Sequence, residues 1–394
     1  RVALRRSGAE TRTDGNGRFE LPFRWTAPEK PGPKGEIEFL ELDKDGYQGR
    51  SVPILAEDWF SRPVAEKLEP NPVSETLAGF TVRMRTAGSI HGMARRLGAD
   101  PNQPIPVEKL REGLAMARRS AANDSRDDRV EFYGYAPVGV PKLRAVFLVS
   151  LHGMGSVEHP VLRAFADREA VALVGVRCHP IQVGSVPLEA LDPPLRRLGA
   201  MLGHAGLADL PVLTFGHSNG TGFATVFASE RPERLIAWIS YHSGYAWQLQ
   251  LPGVERAPGL VLHGMQDEWF EHGQEQAVRE LRGERNAPVA LMVEAHVGHG
   301  PVNPAATWEF IVAFCEAALR MRLRPDGSLR PVIIEDGWLG AAYDRAQGGL
   351  QRLDIAPHAA YAGERGIANW LPDETFARIW QRYGETDPRI SPRR

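Results

Sequence analysis

From Val130 onward, short apolar runs alternate with longer amphipathic stretches, the pattern of strands alternating with helices. Strands are predicted at Val130 to Tyr135, Ala145 to Ser150, Val171 to Val176, Val212 to Phe215, Leu235 to Ser240, Leu260 to His263 and Val289 to Val293. Helices are predicted near Pro160 to Glu169, Leu188 to His204, Gly222 to Ser229, Glu275 to Arg282 and Thr307 to Leu323. The last of these places Trp308, Ile311, Val312, Cys315 and Leu319 on one face, as a helix covering a buried sheet should. The alternation predicts an α/β fold, doubly wound, with a mostly parallel sheet and helices on both faces.

The ends of the chain follow other patterns. Residues 1–86 carry short alternating segments, Arg18 to Phe23 and Glu36 to Leu42, separated by the turn-rich Thr13-Asp14-Gly15-Asn16-Gly17 and Asp43-Lys44-Asp45-Gly46-Tyr47. This predicts a small N-terminal β-sandwich. The Asp/Gly clusters are too short for a calcium loop and lack its distal glutamate, so they read as hairpin turns. Residues 87–129 read as a connector with one helix, in which Val107, Leu110, Leu114 and Ala117 share a face. Residues 130–323 carry the strand and helix alternation. Residues 324–394 exceed what that sheet needs and hold Trp338, Tyr343, Trp370 and Trp380, with one short helix over Asp373 to Arg382 capped by Asp373. This extension is expected to wrap the preceding domain, either bringing Trp338 to the edge of its site or serving as a structural strap on a remote face.

Composition narrows the function classes. With 47 basic and 49 acidic residues among 394, the net charge is −2, and no global field favours nucleic acid or an anionic membrane. No apolar run approaches the roughly 18 residues that span a bilayer. No signal peptide is visible, although a chain opening on Arg1 points to processing or truncation. The two cysteines, Cys178 and Cys315, are expected to be buried free thiols.

Candidate chemistry sits where strands end, because ligands of such sheets bind beyond the carboxyl ends of their strands. The run Pro211 to Phe215 stops at Gly216-His217-Ser218-Asn219-Gly220, a strand, sharp turn and helix start that leaves a serine hydroxyl exposed. Ser218 is the candidate nucleophile. A serine that transfers acyl groups needs a base, an acid to orient that base, and donors for the developing oxyanion. Asp267 in His263-Gly264-Met265-Gln266-Asp267 and His299 in His296-Val297-Gly298-His299-Gly300 supply the acid and the base. Glu268 competes with Asp267, and His296 with His299; the position of Asp267 directly after the turn and of His299 between glycines favours the latter two. His296 and His299 lack the companion ligands of a metal site, so no metal or other cofactor is expected.

The region from Val130 to Leu323 resembles an α/β-hydrolase. Its elbow is GHSNG, its oxyanion loop LHGMG, its acid turn LHGMQD and its histidine loop VGHG. The resemblance implies that Ser218 attacks a carbonyl, that His299 acts as general base and then acid, and that Asp267 fixes the imidazole tautomer. It implies an oxyanion hole made by the backbone N–H groups of Asn219 and Met154. The serine favours carboxylic-ester hydrolysis, and the absence of a propeller-like repeat disfavours a peptidase of the prolyl-oligopeptidase kind. Separately, TDGNGRFEL and DKDGY resemble the carboxypeptidase-regulatory-like, transthyretin-like β-module found in secreted bacterial proteins. That resemblance implies an accessory role and a secreted or periplasmic location.

Tyr241, His242, Tyr245 and Trp247 follow one strand, and Trp269 and Phe270 follow the candidate acid. Either they rim a pocket for aryl, carbohydrate or polyester substrates, as in feruloyl esterases and polyhydroxybutyrate depolymerases, or they are packing aromatics. Small or polymeric esters are thus the expected partners, with Tyr241, Tyr245, Trp247, Trp269 and Trp338 as candidate substrate contacts. A polysaccharide-binding or scaffolding protein on an inactive hydrolase fold is the alternative.

Overall fold

The computed structural model describes residues 2–4, 10–11, 37–42, 50–55, 74–77, 80–86, 129–150, 157, 159–179, 191–243, 246–270 and 273–389. The chain divides into two compact units, Arg1–Val73 and Ser74–Arg394. In the first, β1 (Val2–Leu4), β2 (Glu10–Thr11), β3 (Ile37–Leu42) and β4 (Arg50–Leu55) form an antiparallel sheet in the order β2-β1-β3-β4. Among the described residues this unit holds that one sheet. Both turn clusters, the expected Arg18 to Phe23 segment and the expected connector helix lie outside the described residues.

The second unit is built on a nine-stranded sheet in the order β13-β12-β11-β10-β8-β9-β7-β6-β5. Its strands are β5 (Ser74–Leu77), β6 (Phe80–Thr86), β7 (Arg129–Tyr135), β8 (Ala145–Ser150), β9 (Val171–His179), β10 (Val212–His217), β11 (Leu235–Tyr241), β12 (Gly259–Gly264) and β13 (Val289–Glu294). From β13 to β9 all neighbours are parallel. β7 turns antiparallel to β9, β6 runs parallel to β7, and β5 closes the edge as a hairpin partner of β6. Ser74–Leu77 and Phe80–Thr86 therefore extend this sheet, although residues up to 86 read in sequence as part of the N-terminal module.

The central strands are apolar along their whole length because both faces are covered, which is how parallel strands differ from half-exposed antiparallel ones. β8 turns Val146 and Leu148 into one core and Ala145, Phe147 and Val149 into the other. Over the first core lie α2 (Asp192–Leu202), α3 (Thr221–Glu230) and α4 (Gln274–Arg285), through Leu198, Phe223, Phe227 and Leu281. Over the second lie α1 (Pro160–Glu169), α5 (Pro304–Arg322) and α6 (Glu374–Glu385), through Phe165, Trp308, Phe314 and Phe376. This is a doubly wound α/β-hydrolase fold. Cys315 is a buried free thiol on α5, and burial pushes its pKa up. The Cys178 side chain lies outside the described residues. Among the described residues, no helix is long and apolar enough to cross a membrane.

The C-terminal extension packs on the far edge of the sheet. β14 (Trp338–Gly340) pairs with β15 (Ile355–Pro357) and β16 (Asn369–Leu371) in a small antiparallel sheet. Asn369 Oδ1 accepts the Leu291 N–H of β13 at 2.6 Å, so a side chain occupies a donor that an edge strand leaves open. Arg282 Nε of α4 donates to the Ala368 carbonyl at 2.7 Å. Trp370 and Trp380 are buried, and Phe310 of α5 stacks on Tyr383 of α6 at 4.1 Å. Beside this contact, β13, α5 and α6 enclose a cavity of about 440 Å³ whose walls include Met292, Phe310, Ile379, Glu294 and Tyr383.

Asp373 caps α6, its Oδ1 accepting the Phe376 N–H at 2.8 Å, while Oδ2 takes Arg320 Nη2 at 2.8 Å. The Arg320 partner is half exposed, so the ion pair contributes little and the cap dominates. Asp373→Ala is expected to cost about 1 kcal/mol in urea denaturation. Asp373→Asn, which keeps the cap and loses only the ion pair, should cost less than half of that.

Candidate active site

The serine turn follows from close packing. A Cβ on Gly216 would stand 2.1 Å from the Gly220 carbonyl oxygen, a distance no side chain survives, so the strand leaves β10 along a path only glycine permits. Ser218 then takes φ +54°, a left-handed conformation that costs a non-glycine residue about 1–3 kcal/mol. Its own carbonyl helps to hold it there, accepting the Thr221 hydroxyl at 2.7 Å. The same hydroxyl reaches Ser243 Oγ at 2.8 Å, tying the turn to the end of β11. Strain at this point aims the serine side chain away from the sheet.

Asp267 and His299 arrive from the next strands outward. The acid turn after β12 and the histidine loop after β13 are joined by backbone hydrogen bonds, Gln266 N–H to the Val297 carbonyl at 2.8 Å and Met265 N–H to the Glu294 carbonyl at 3.0 Å. A Cβ on Gly264 would meet the Val297 carbonyl at 2.3 Å, so glycine there lets the two loops touch. His217 Nε2 lies 3.0 Å from the His299 carbonyl, which anchors the histidine loop to the end of β10.

Together these constraints place the His299 ring between the other two groups. Its Nε2 is 2.9 Å from Ser218 Oγ, and its Nδ1 is 3.0 Å from Asp267 Oδ2 and 3.1 Å from Oδ1. The Asp267 side chain is fully buried while His299 is 39% exposed, so a reactant can reach the imidazole and solvent cannot reach the acid. Burial alone would raise the Asp267 pKa. Hydrogen bonds from His242, the Trp269 N–H at 3.0 Å and His299 outweigh it and hold the carboxyl well below the usual carboxylate range. An ionised Asp267 accepts Nδ1–H and leaves Nε2 as the acceptor facing the serine. Glu268 is exposed. His242, Asp267 and His299 present their polar atoms within 4.8 Å of one another, a closeness these mutual contacts account for.

No protein-family profile matches the chain, and no curated protein sequence does. Among solved structures, similarity is found to Est1E from Butyrivibrio proteoclasticus, at 14% identity over 48% of this chain and 95% of that one, with a TM-score of 0.34. Esterase PE8 is similar at 18% identity over 47% and 97%, with a TM-score of 0.36. LpqC, a poly(3-hydroxybutyrate) depolymerase from Bordetella parapertussis, is similar at 17% identity over 50% and 86%, with a TM-score of 0.33. At such values these likenesses add nothing to the strand order and distances above.

The remaining candidate residues divide. Asn219 follows Ser218 within the 3-10 turn Ser218–Gly220. Trp269 is 39% exposed and its N–H binds Asp267, which puts its backbone beside the triad. Tyr241 does not line a substrate pocket: it is 0% exposed and packs between Phe215 and His242, at ring distances of 6.1 and 3.9 Å. The last residue of β11 belongs to the interior because helices and loops cover both of its sides. Trp338 sits in β14, partly buried against the core that α5 and α6 cover. Met154, Tyr245 and the Trp247 side chain lie outside the described residues.

Near Asp267 and His299 stand two residues that sequence does not single out, Glu294 and Tyr383, and a third, His242, that sequence reads only as one of the aromatics after β11. Glu294, the last residue of β13, is 4% exposed and lies 3.0 Å from His242 Nε2 through Oε2. Tyr383 donates its hydroxyl to Glu294 Oε1 at 2.5 Å. His242, buried with φ +52°, lies with Nδ1 3.2 Å from Asp267 Oδ2. The available signal was Val-Ala-Leu-Met-Val closing on a glutamate, because a carboxylate ending a buried strand must find partners.

Proposed function

We propose that the protein is a serine hydrolase of carboxylic esters that works through an acyl-enzyme. The observation that carries the reading is the single line from Asp267 through His299 to Ser218, with contacts of 3.0 and 2.9 Å. Ser218 Oγ attacks the ester carbonyl as its proton passes to His299 Nε2. The tetrahedral oxyanion takes hydrogen bonds from the Asn219 N–H and, from the LHGMG loop, the Met154 N–H. Collapse breaks the ester C–O bond, and the imidazolium returns the proton to the departing alkoxide. Water then repeats the sequence in reverse roles, releasing the acid and restoring Ser218.

Substrate class rests on thinner support. Exposed Trp269 beside the acid favours an acyl or alcohol group with a flat face, such as an aryl or sugar ester, while buried Tyr241 contributes nothing to such a surface. Rates on methyl ferulate, acetylated xylan and short p-nitrophenyl esters should separate the possibilities. Preference for ferulate that falls on Trp269→Ala supports the aryl reading, and activity confined to short alkyl acyl groups rejects it. A fluorophosphonate that labels Ser218 in the wild-type protein and fails to label Ser218→Ala tests the nucleophile without knowing the ester. Absence of labelling in the wild type would favour the scaffold alternative.

A further inference from the structure

Behind the triad runs a second line of polar side chains, and it begins in the C-terminal extension. Tyr383 of α6 also lies 3.1 Å from Thr307 Oγ1 of α5, and its hydroxyl reaches Glu294 Oε1. Glu294 Oε2 faces His242 Nε2 at 3.0 Å, and His242 Nδ1 faces Asp267 Oδ2 at 3.2 Å. His242 and Asp267 side chains are 0% exposed and Glu294 is 2%. Groups so buried are costly unless they satisfy one another, so their alignment from four separate elements requires an account.

We propose that His242 and Glu294 are positioning residues of the esterase reaction, a buried link that lets the C-terminal extension hold Asp267, and through it His299, in the geometry the serine needs. The inference rests on the reading of Ser218, His299 and Asp267 as a triad. Neither residue touches Ser218, so both act through the acid.

Charge explains how the link works. Burial alone would strip the proton from His242, but hydrogen bonds and charges from Asp267 and Glu294 outweigh it and raise its pKa above the ordinary value. A His242 ring that carries its second proton faces a carboxylate at each nitrogen, Asp267 at Nδ1 and Glu294 at Nε2, and its positive charge holds both. The other groups around the ring do not supply that charge. His263, stacked on His242 at 5.3 Å, has its pKa lowered by burial, and its Nε2 lies 3.0 Å from the Ser243 carbonyl. Burial and Glu294 push the phenols of Tyr241 and Tyr383 well up, which keeps Tyr383 a donor. His217 and His299 present ring edges 6.1 Å away. The backbone at residue 242 is left-handed at φ +52°, a conformation that histidine and asparagine both adopt more readily than most side chains.

The test uses the full chain and three variants. Glu294→Gln keeps the shape and loses the charge, Tyr383→Phe loses only the donor, and His242→Asn suits the backbone and loses the reach. Expected for Glu294→Gln is a fall of about tenfold in kcat with KM nearly unchanged. Tyr383→Phe should lower kcat by less, and His242→Asn should lower it further. Unchanged kcat in both Glu294→Gln and His242→Asn, with only Tm lowered, would overturn the proposal and leave a purely structural cluster. Long-range ¹H–¹⁵N spectra of histidine-labelled wild-type protein at pH 7 give a second readout that needs no substrate. They should show His242 protonated on both nitrogens, and a neutral ring would equally overturn it. If wild-type Ser218 resists fluorophosphonate and no ester is cleaved, the triad reading fails, whereas labelled and active wild type with indifferent variants defeats only the link.

Discussion

Ser218→Ala is expected to lower kcat on any ester substrate by about a millionfold, with Tm unchanged or slightly lowered. The magnitude follows from the triad acting as a unit: without the nucleophile the imidazole has nothing to activate, and only binding and oxyanion donors remain. The stability forecast follows from backbone conformation, because Ser218 is strained at φ +54° whether or not its hydroxyl is present. Alanine keeps that strain and loses one hydrogen bond to a half-exposed histidine, a small matter beside the catalytic loss. Asp267→Asn should cost about 10⁴-fold by reversing the tautomer, and combining it with Ser218→Ala should add almost nothing. A double variant much slower than Ser218→Ala alone would show that the two residues do not act together. The carboxyl pKa also fixes a pH dependence. Asp267 is held below its unfolded value, so the stability it contributes is present above the ordinary aspartate range and is lost as pH falls through the depressed folded value. Weak acid alone should therefore leave the Asp267 contribution to Tm intact, and melting curves that already fall there would contradict a carboxyl held so low.

Trp380→Ala should be the most damaging single change to stability, about 3–5 kcal/mol by urea denaturation. Trp380 is 1% exposed and belongs to the same core as Trp308, Phe376 and the sheet residue Met292. The cavity left by an indole there has little means of collapsing, since α5 and the sheet hold its other walls. Deleting residues 325–394 removes Trp370, Phe376 and Trp380 together and uncovers β13, so the shortened protein is expected to be insoluble or unfolded. A truncated protein that melts like the full chain would show that the extension only leans on the domain.

The central fold was legible because the physics is local there. Short apolar runs such as Val-Ala-Leu-Met-Val and Val-Leu-Thr-Phe, set between turns and amphipathic stretches, fit strands buried on both faces, and the spacing of Trp308, Ile311, Cys315 and Leu319 fits a helix with one covered face. The serine turn was legible in part for the same reason, since Gly216 is required by contacts within five residues, whereas Gly220 is required by Ser150 of β8, far away in sequence. Contacts across long separations were not. Glu294 meets His242 across 52 residues and Tyr383 across 89, and no local pattern marks either pairing. Tyr241 was misread because a strand-end aromatic looks the same in sequence whether loops cover it or leave it open. Residues 74–86 were read with the N-terminal module because an alternating strand carries no sign of which sheet it joins.

The Asn369 side chain that covers the Leu291 N–H of β13 lies 78 residues further along the chain. Ribosomes add about 5–20 residues per second, so during synthesis the edge of the sheet stays bare for roughly 4 to 16 seconds after β13 is made. Throughout that interval the nascent protein offers an open strand to its neighbours on the same message. Residues made long after the strand itself are then the ones that end its exposure to misassembly, and any stall between the two prolongs it.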